Sequence, residues 1–192
     1  MTQKTKATKP HKELAVSQGD IFKNVKYSYI DKETDDDVII IEMEFPFAVI
    51  ISQACDVIAM SDLQRSNKGK ATKFMPSILL CPIYDAQKAK KGDHIFKIKE
   101  SLKFDFEKED LYHSDDFKVA KKEWHYRFHA FSVICNEENV IDNAIIDFKH
   151  YFTVPMAYLL SNLENRLMRL DDMFAEQLTL KFATYLSRVA IP

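Results

Sequence analysis

Cys55 and Asp56 are the first residues in this sequence whose types and spacing could support chemistry. They follow an apolar run and open a predicted helix, whose N-terminus would favour a thiolate. If Asp56 oriented a histidine, Cys55 could act as a nucleophile, so both are candidate catalytic residues. In the alternative interpretation, Cys55 fills an apolar corner of the core and Asp56 caps the helix. We favour this structural interpretation because free cysteine is among the most buried residue types.

His125, Arg127 and His129 form the second candidate group, and they alternate along a predicted strand that ends at Cys135. On a strand these side chains project from one face, about 6–7 Å apart. We predict that they bind a ligand such as a phosphate, with the arginine as a fork and His129 as a candidate catalytic acid or base. Two alternatives stay open: a solvated face without a ligand, and a zinc site completed by His150 or Cys135. We expect the protein to use no metal and no cofactor.

The composition excludes several classes of function. The 192 residues suit one domain, and only three of them are glycines, at positions 19, 69 and 92. A phosphate-binding loop or a dinucleotide fingerprint needs several glycines within a few residues, so neither can be built. The three cysteines form no C-x-x-C pair, which excludes a zinc ribbon. The formal net charge of −2 provides no global basic field, so nucleic-acid binding would need a local patch.

The apolar runs also bear on localisation. They are far shorter than the ~20 residues that a membrane helix requires. The sequence opens without an apolar signal region. The odd number of cysteines fits a reducing compartment. We therefore predict a cytoplasmic protein with no membrane partner.

Apolar alternation predicts a mainly β protein with helical insertions. Predicted strands cover 25–30, 38–45, 47–52, 76–80, 102–106, 124–135 and 144–154, and predicted helices cover 55–63 and 85–91. The acidic stretch after the first strand fits the turn of a long hairpin. The run 47–52 is apolar throughout, which is typical of a central strand buried on both faces.

The two ends of the sequence differ in character. Residues 1–13 are rich in lysine and threonine and contain no apolar cluster, so we predict a flexible tail there. Residues 14–192 are predicted to form a single domain, which includes an amphipathic C-terminal helix over 172–190. Its apolar residues recur every three or four positions: Phe174, Leu178, Phe182, Tyr185 and Val189. We expect this stripe to pack on the same chain, with a partner surface as the alternative.

Three short motifs, in this order, resemble the PemK/MazF-like toxin family: Gly19-Asp20-Ile21, Pro46-x-x-Val49-Ile50-x-Ser52 and Leu80-x-Pro82-Ile83. Members of this family cut or bind RNA and are neutralised by an antitoxin. The resemblance covers 17–85. It implies that the domain is an SH3-like, curled antiparallel β-barrel with helical inserts and the C-terminal amphipathic helix.

The sequence departs from this family at two positions. Phe45 stands where the family has an arginine before the strand proline, and Tyr84 stands where it has a threonine after the Pro-Ile pair. RNA cleavage needs a cation at the phosphate and groups that move protons, so these changes favour a barrel without the nuclease. The run from Ser52 to Asp56, together with Arg188-x-x-x-Pro192, also resembles a group of uncharacterised bacterial proteins. That resemblance implies a setting in phage defence or toxin–antitoxin biology.

These observations lead us to predict a non-catalytic binding module that contacts a protein partner or nucleic acid through the barrel groove. Two other functions stay open. One is a metal-independent endoribonuclease of the PemK/MazF type, in which cleavage would depend on Arg127 and His129. The other is a cysteine-dependent hydrolase at Cys55.

Overall fold

The computed structural model describes residues 4–8, 15–34, 37–91, 94, 126–135 and 140–187. Within these residues the protein is mainly an antiparallel sheet of eight strands with few helices, which confirms the predicted mainly β, α+β class. The strands are β1 (Lys4–Thr8), β2 (Asp20–Glu33), β3 (Val38–Ile50), β4 (Ile78–Asp85), β5 (Phe128–Cys135), β6 (Val140–Asp147), β7 (Phe152–Val154) and β8 (Arg166–Leu170).

The described α-helices connect these strands or follow them. They are α1 (Ala54–Ser66), α2 (Ala86–Lys90), α3 (Met156–Ser161) and α4 (Asp172–Leu186). Short 3₁₀ turns occupy Ala71–Lys73, Phe148–His150 and Leu163–Asn165. The C-terminal helix α4 begins where the sequence predicts and ends at Leu186, while residues 188–192 lie outside the described part of the chain.

The strand order in the sheet is β3-β2-β8-β1-β5-β6-β4-β7. Neighbouring strands are antiparallel except for β1 and β5, which run parallel. β3, the first strand in this order, also pairs with β4 through Phe47–Ile50. The most apolar strand segment thus has a neighbour on each side, as predicted for a central strand.

β2 and β3 form the long hairpin that the acidic stretch predicts. Their pairing runs from Ile21 opposite Val49 to Glu33 opposite Val38, with one irregularity between Ile30 and Lys32. The turn is fixed locally, because the Thr34 N–H donates to the Asp37 carbonyl over 2.8 Å. Since β8 pairs with β2 only at Asp20–Phe22, most of this hairpin extends beyond its neighbours.

The sheet buries apolar side chains on both faces, because successive residues of a strand point in opposite directions. On β3, Ala48 and Ile50 belong to one core cluster and Val49 belongs to the other. The first cluster also includes residues of α1, α2 and α3, such as Val57, Ala89 and Leu159. The second includes Ala175, Leu178 and Phe182 of α4. The apolar stripe of α4 therefore packs on its own chain, as predicted.

Two local predictions need correction. β1 lies inside the segment 1–13 that the composition predicts as a flexible tail, so the prediction is wrong for Lys4–Thr8. These residues are ordered by backbone pairing with β5 and β8, which needs no apolar cluster. The strand predicted over 76–80 continues to Asp85. Pro82 lies between the parts of β4 paired with β7 and with β6, so a residue without an N–H is tolerated there.

No helix in the described part of the chain is long and apolar enough to cross a membrane. The predicted strand over 102–106 and the predicted ligand residue His125 both lie outside the described residues.

Candidate functional site

A cluster of polar side chains forms where β4, β5 and β6 meet. Tyr84 comes from the end of β4, Asp147 ends β6, and His150 closes the 3₁₀ turn that follows it. Arg127 directly precedes β5. Strand register brings these residues together, because Tyr84 lies opposite Ile145 and Phe128 lies opposite Asp147.

Asp147 is the centre of this cluster, and its side chain is only 1% exposed. The Arg127 guanidinium donates to both carboxylate oxygens, from Nε to Oδ1 over 2.7 Å and from Nη2 to Oδ2. Oδ1 also accepts the backbone N–H of Lys149 over 3.0 Å, because Asp147 caps the turn Phe148–His150. A buried carboxylate is stable when it is paired and hydrogen-bonded in this way.

His150 links Asp147 to Tyr84. Its Nδ1 lies 3.0 Å from the Tyr84 hydroxyl, and its Nε2 lies 3.7 Å from Asp147 Oδ2. Burial lowers the pKa of His150; Asp147 opposes this effect, while Arg127 and Lys149 add to it. The imidazole is therefore neutral at pH 7, the form that can accept a proton or bind a metal.

His94 completes the cluster. It is buried, and its ring meets the Tyr84 ring edge-on with 4.6 Å between centroids. The His94 and His150 rings lie 5.9 Å apart. His94, Asp147 and His150 each offer one ligand atom, and these atoms lie within 4.8 Å of one another. The arrangement could thus hold a cation, or it could move a proton between Tyr84 and His150.

The structure separates two of the predicted ligand residues. Arg127 is held by Asp147 in the cluster, whereas His129 contacts α4, with its Nδ1 3.0 Å from Lys181 Nζ. His129 is buried, so the alternative of a solvated face is wrong at this position. Burial, together with the Lys181 charge, lowers the pKa of His129 to about 3.

Cys55 and Asp56 lie on the first turn of α1, and both are exposed. The prediction that Cys55 fills a core corner is therefore wrong, since the inward positions of this helix belong to Val57, Met60 and Ser61. Asp56 is not the helix cap, because Gln53 occupies that position. Within the described residues, no hydrogen bond joins the Cys55 thiol to a histidine.

A second feature is the end of the β2–β3 hairpin, residues 26–33 and 38–44, which we call the arm. Ile30 and Ile40 lie opposite each other across the two strands, and they are 58% and 64% exposed. Val38 and Ile39 are also exposed. Large apolar side chains that cluster on a projecting element are typical of an interaction surface.

The sequence-based search missed Asp147 and His94 and noted Tyr84 only as a departure from a family motif. The spacing Asp147-x-x-His150 directly after an apolar strand was the available signal, because a turn there brings both side chains to the strand end. The contributions of Tyr84 and Arg127 depend on strand register. No family model, curated protein or solved structure matches this chain.

Proposed function

We propose that this protein is a non-catalytic binding module that holds a protein partner on its β2–β3 arm. One observation carries this proposal: the cross-strand pair Ile30 and Ile40 is more than half exposed on both strands. Each side chain is already partly covered, so its exposed part forgoes somewhat more than half of the roughly 1.5–3 kcal/mol that full burial contributes. A partner that covers them would recover this free energy.

The finer fold type belongs to the same proposal. We infer that the sheet curls into an SH3-like barrel, as the resemblance to the PemK/MazF-like family implies. The pairing of β3 with β4 supports this, because β3 begins the strand order and β4 stands near its other end. The arm would then project from the barrel instead of forming part of its wall.

The open edge of the arm suggests how a partner binds. β4 pairs with β3 only at Phe47–Ile50, so the edge of β3 over the arm has no neighbouring strand within the described residues. The β2 edge is partly covered, because the Lys26 N–H donates to the Tyr158 hydroxyl over 2.7 Å. An extended segment could add a strand to the β3 edge and place its apolar side chains on Ile39 and Ile40.

Charge narrows the kind of partner. Glu42 on β3 is exposed and pairs with Lys26 over 3.1 Å. Asp31, Glu33, Asp37 and Glu44 are also exposed and outnumber the other lysine of the arm, Lys32. These carboxylates would repel nucleic-acid phosphates and attract a basic segment. We therefore expect an extended protein segment that combines apolar and basic side chains.

The test is recovery of tagged protein from its native host, comparing wild type with an Ile30→Ser/Ile40→Ser variant. A Val140→Ser/Leu180→Ser variant is the matched control, because those side chains are 62% and 69% exposed elsewhere on the surface. We expect a stoichiometric protein to accompany wild type and control and to be lost from the arm variant. Retention of that protein by the arm variant would contradict the proposal.

A metal-independent endoribonuclease is the second candidate function, and the bond between Tyr84 and His150 favours it. A neutral imidazole beside a phenol could accept the proton of a 2′-hydroxyl, with Arg127 near the phosphate. The assay is cleavage of mixed-sequence RNA in a chelator, with His150→Ala and Tyr84→Phe alongside Arg127→Ala and His129→Ala. Cleavage that survives all four substitutions, or that is absent in wild type, would rule this function out.

A further inference from the structure

His94, Asp147 and His150 supply two imidazoles and one carboxylate to a single point in the fold. Their ligand atoms lie within 4.8 Å of one another, and His94 and Asp147 are buried. This donor set suits divalent transition metals, since imidazole is a common ligand of zinc, iron and nickel. The arm lies on other residues, so an inference about this cluster goes beyond the binding function proposed for the arm. It is an alternative to the metal-independent endoribonuclease, which would use the same His150.

The hydrogen bonds of Asp147 leave room for one more interaction. A carboxylate has about four acceptor positions, two on each oxygen. Arg127 Nε and the Lys149 N–H occupy Oδ1, and Arg127 Nη2 occupies one position on Oδ2. The remaining position on Oδ2 is available to a group on the side where His150 lies.

The orientation of His150 indicates what that group is. If Nδ1 carries the proton and donates it to the Tyr84 oxygen 3.0 Å away, Nε2 presents a lone pair towards Asp147. In the opposite tautomer, an Nε2 proton would face Oδ2 across 3.7 Å, which is too long for a hydrogen bond. The first tautomer therefore leaves two electron-pair donors facing each other, and a cation between them satisfies both.

We propose that His94, Asp147 and His150 bind one divalent transition-metal ion of the zinc class. Metal–ligand bonds of about 2.0–2.2 Å place two ligand atoms on one ion roughly 3–3.5 Å apart. The observed 3.7 Å between Nε2 and Oδ2 is close to this. Other ligand atoms of the set are up to 4.8 Å apart, so binding requires the side chains to move together by about 1–2 Å. Three protein ligands leave a fourth position for water or for a ligand from solution.

The surroundings of the three ligands are those of a metal site. Tyr84 fixes the ring of His150, and Arg127 and the Lys149 N–H fix the carboxylate, as outer partners of metal ligands do. The Arg127 guanidinium also repels a cation. We therefore expect this site to bind Zn²⁺ more weakly than a site formed by four thiolates or imidazoles.

The experiment measures metal bound to the full chain without reference to activity. Protein stripped with a chelator is dialysed against Zn²⁺ and analysed for metal content, and Co²⁺ is titrated as a spectroscopic probe. We expect one ion per chain and a cobalt spectrum without a thiolate charge-transfer band. His94→Ala and His150→Ala should each weaken binding at least ~100-fold, and Tyr84→Phe should weaken it about 10-fold while keeping the one-to-one ratio.

Cys55→Ser is the control, because an exposed thiol is an alternative ligand for Zn²⁺. It should bind metal as wild type does. Thermal melts of the metal-free variants check that each one folds. If an alanine variant does not fold, the weaker metal binding expected of Tyr84→Phe tests the proposal in its place. Failure of wild type to bind an ion, binding lost in Cys55→Ser, or unchanged binding in folded His94→Ala and His150→Ala would each overturn the proposal.

Discussion

Asp20 holds Arg169 through two hydrogen bonds, from Nε to Oδ1 over 2.6 Å and from Nη2 to Oδ2 over 3.0 Å. The same carboxylate, which has no exposed surface, accepts from Arg166 and from the Ser17 N–H. The Gly-Asp motif at the start of β2 therefore ties that strand to β8 through charge as well as backbone pairing. We interpret this arrangement as structural, because both arginines also donate to the Ala15 carbonyl of the same chain.

Replacing Asp20 with asparagine should destabilise the protein by about 3–5 kcal/mol, the usual cost of removing one partner of a buried ion pair. The shape is kept, but two guanidiniums lose their shared counter-charge. Urea unfolding measures the effect. Glu42→Gln is the control, because its pair with Lys26 lies on the surface and should contribute little. Equal effects of the two substitutions would show that the buried charge is not stabilising.

Acid should destabilise the protein through His129. Its folded-state pKa is about 3, lowered first by burial and then by Lys181, whereas an unfolded histidine titrates near 6.5. Between these values the unfolded state binds more protons, so stability falls as pH falls through this window. From pH 7 to pH 5 this group alone should remove about 2 kcal/mol. Urea unfolding at pH 7 and pH 5 gives the free energy of unfolding at each value. Between them the His129→Gln variant should lose about 2 kcal/mol less of this free energy than wild type. Equal losses of unfolding free energy in wild type and His129→Gln would contradict the role given to His129.

Gly19 should tolerate no side chain. Its φ is +79°, and an added Cβ would lie 2.9 Å from the Ala175 Cβ of α4. We expect Gly19→Ala to cost about 1–3 kcal/mol, partly from the backbone conformation and partly from this contact. A second change, Ala175→Gly, should recover part of the loss. Gly69→Ala is the comparison, since its new neighbour is the flexible end of Leu63. Thermal melts of wild type and the three variants separate the backbone contribution from that of the Ala175 contact.

Two leucines on α4 should differ sharply in their contribution to the stability of the fold. Leu178 is 1% exposed and Leu180 is 69% exposed. We expect Leu178→Ala to destabilise by about 2–5 kcal/mol because it leaves a cavity under the helix. Leu180→Ala should change stability by less than about 0.5 kcal/mol. Chemical denaturation of both variants makes the comparison, and a cost at Leu180 would mean that the helix packs differently.

Cys55 should react readily in the folded protein, because its side chain is exposed on the first turn of α1. Cys81 is fully buried, and burial raises the pKa of its thiol well above the usual range, so it should stay unmodified. Alkylation followed by mass spectrometry locates the label. Labelling of Cys81 before Cys55 under native conditions would contradict this prediction.

Sequence reasoning succeeded where local pattern determines structure. The alternation along 25–30 and 38–45 predicted the hairpin, and the apolar run 47–52 predicted a strand covered on both faces. The apolar stripe over Phe174, Leu178 and Phe182 predicted a helix packed on its own chain. Each of these patterns reports burial over a few neighbouring residues, which periodicity can detect.

The polar cluster could not be found in this way. Its members lie at positions 84, 94, 127, 147 and 150, and those from β4, β5 and β6 meet because β4 and β5 both pair with β6. A single sequence contains no information on that register. Cys55 was misjudged for a related reason: the frequent burial of cysteine is an average, whereas the side of α1 that faces the core is set by Val57 and Met60.

The position of β1 constrains the order in which the chain can fold during synthesis. β1 is the first of the described strands, yet its partners are β5 and β8, so Ala7 pairs with Leu170 near the opposite end of the sequence. During synthesis Lys4–Lys6 stay unpaired until β5 has been translated, and Ala7 and Thr8 stay unpaired until β8 has been translated. The hairpin of β2 and β3 has no such delay because its strands are adjacent. Completion of the sheet is thus a late, non-local step, and a high contact order of this kind makes folding slow.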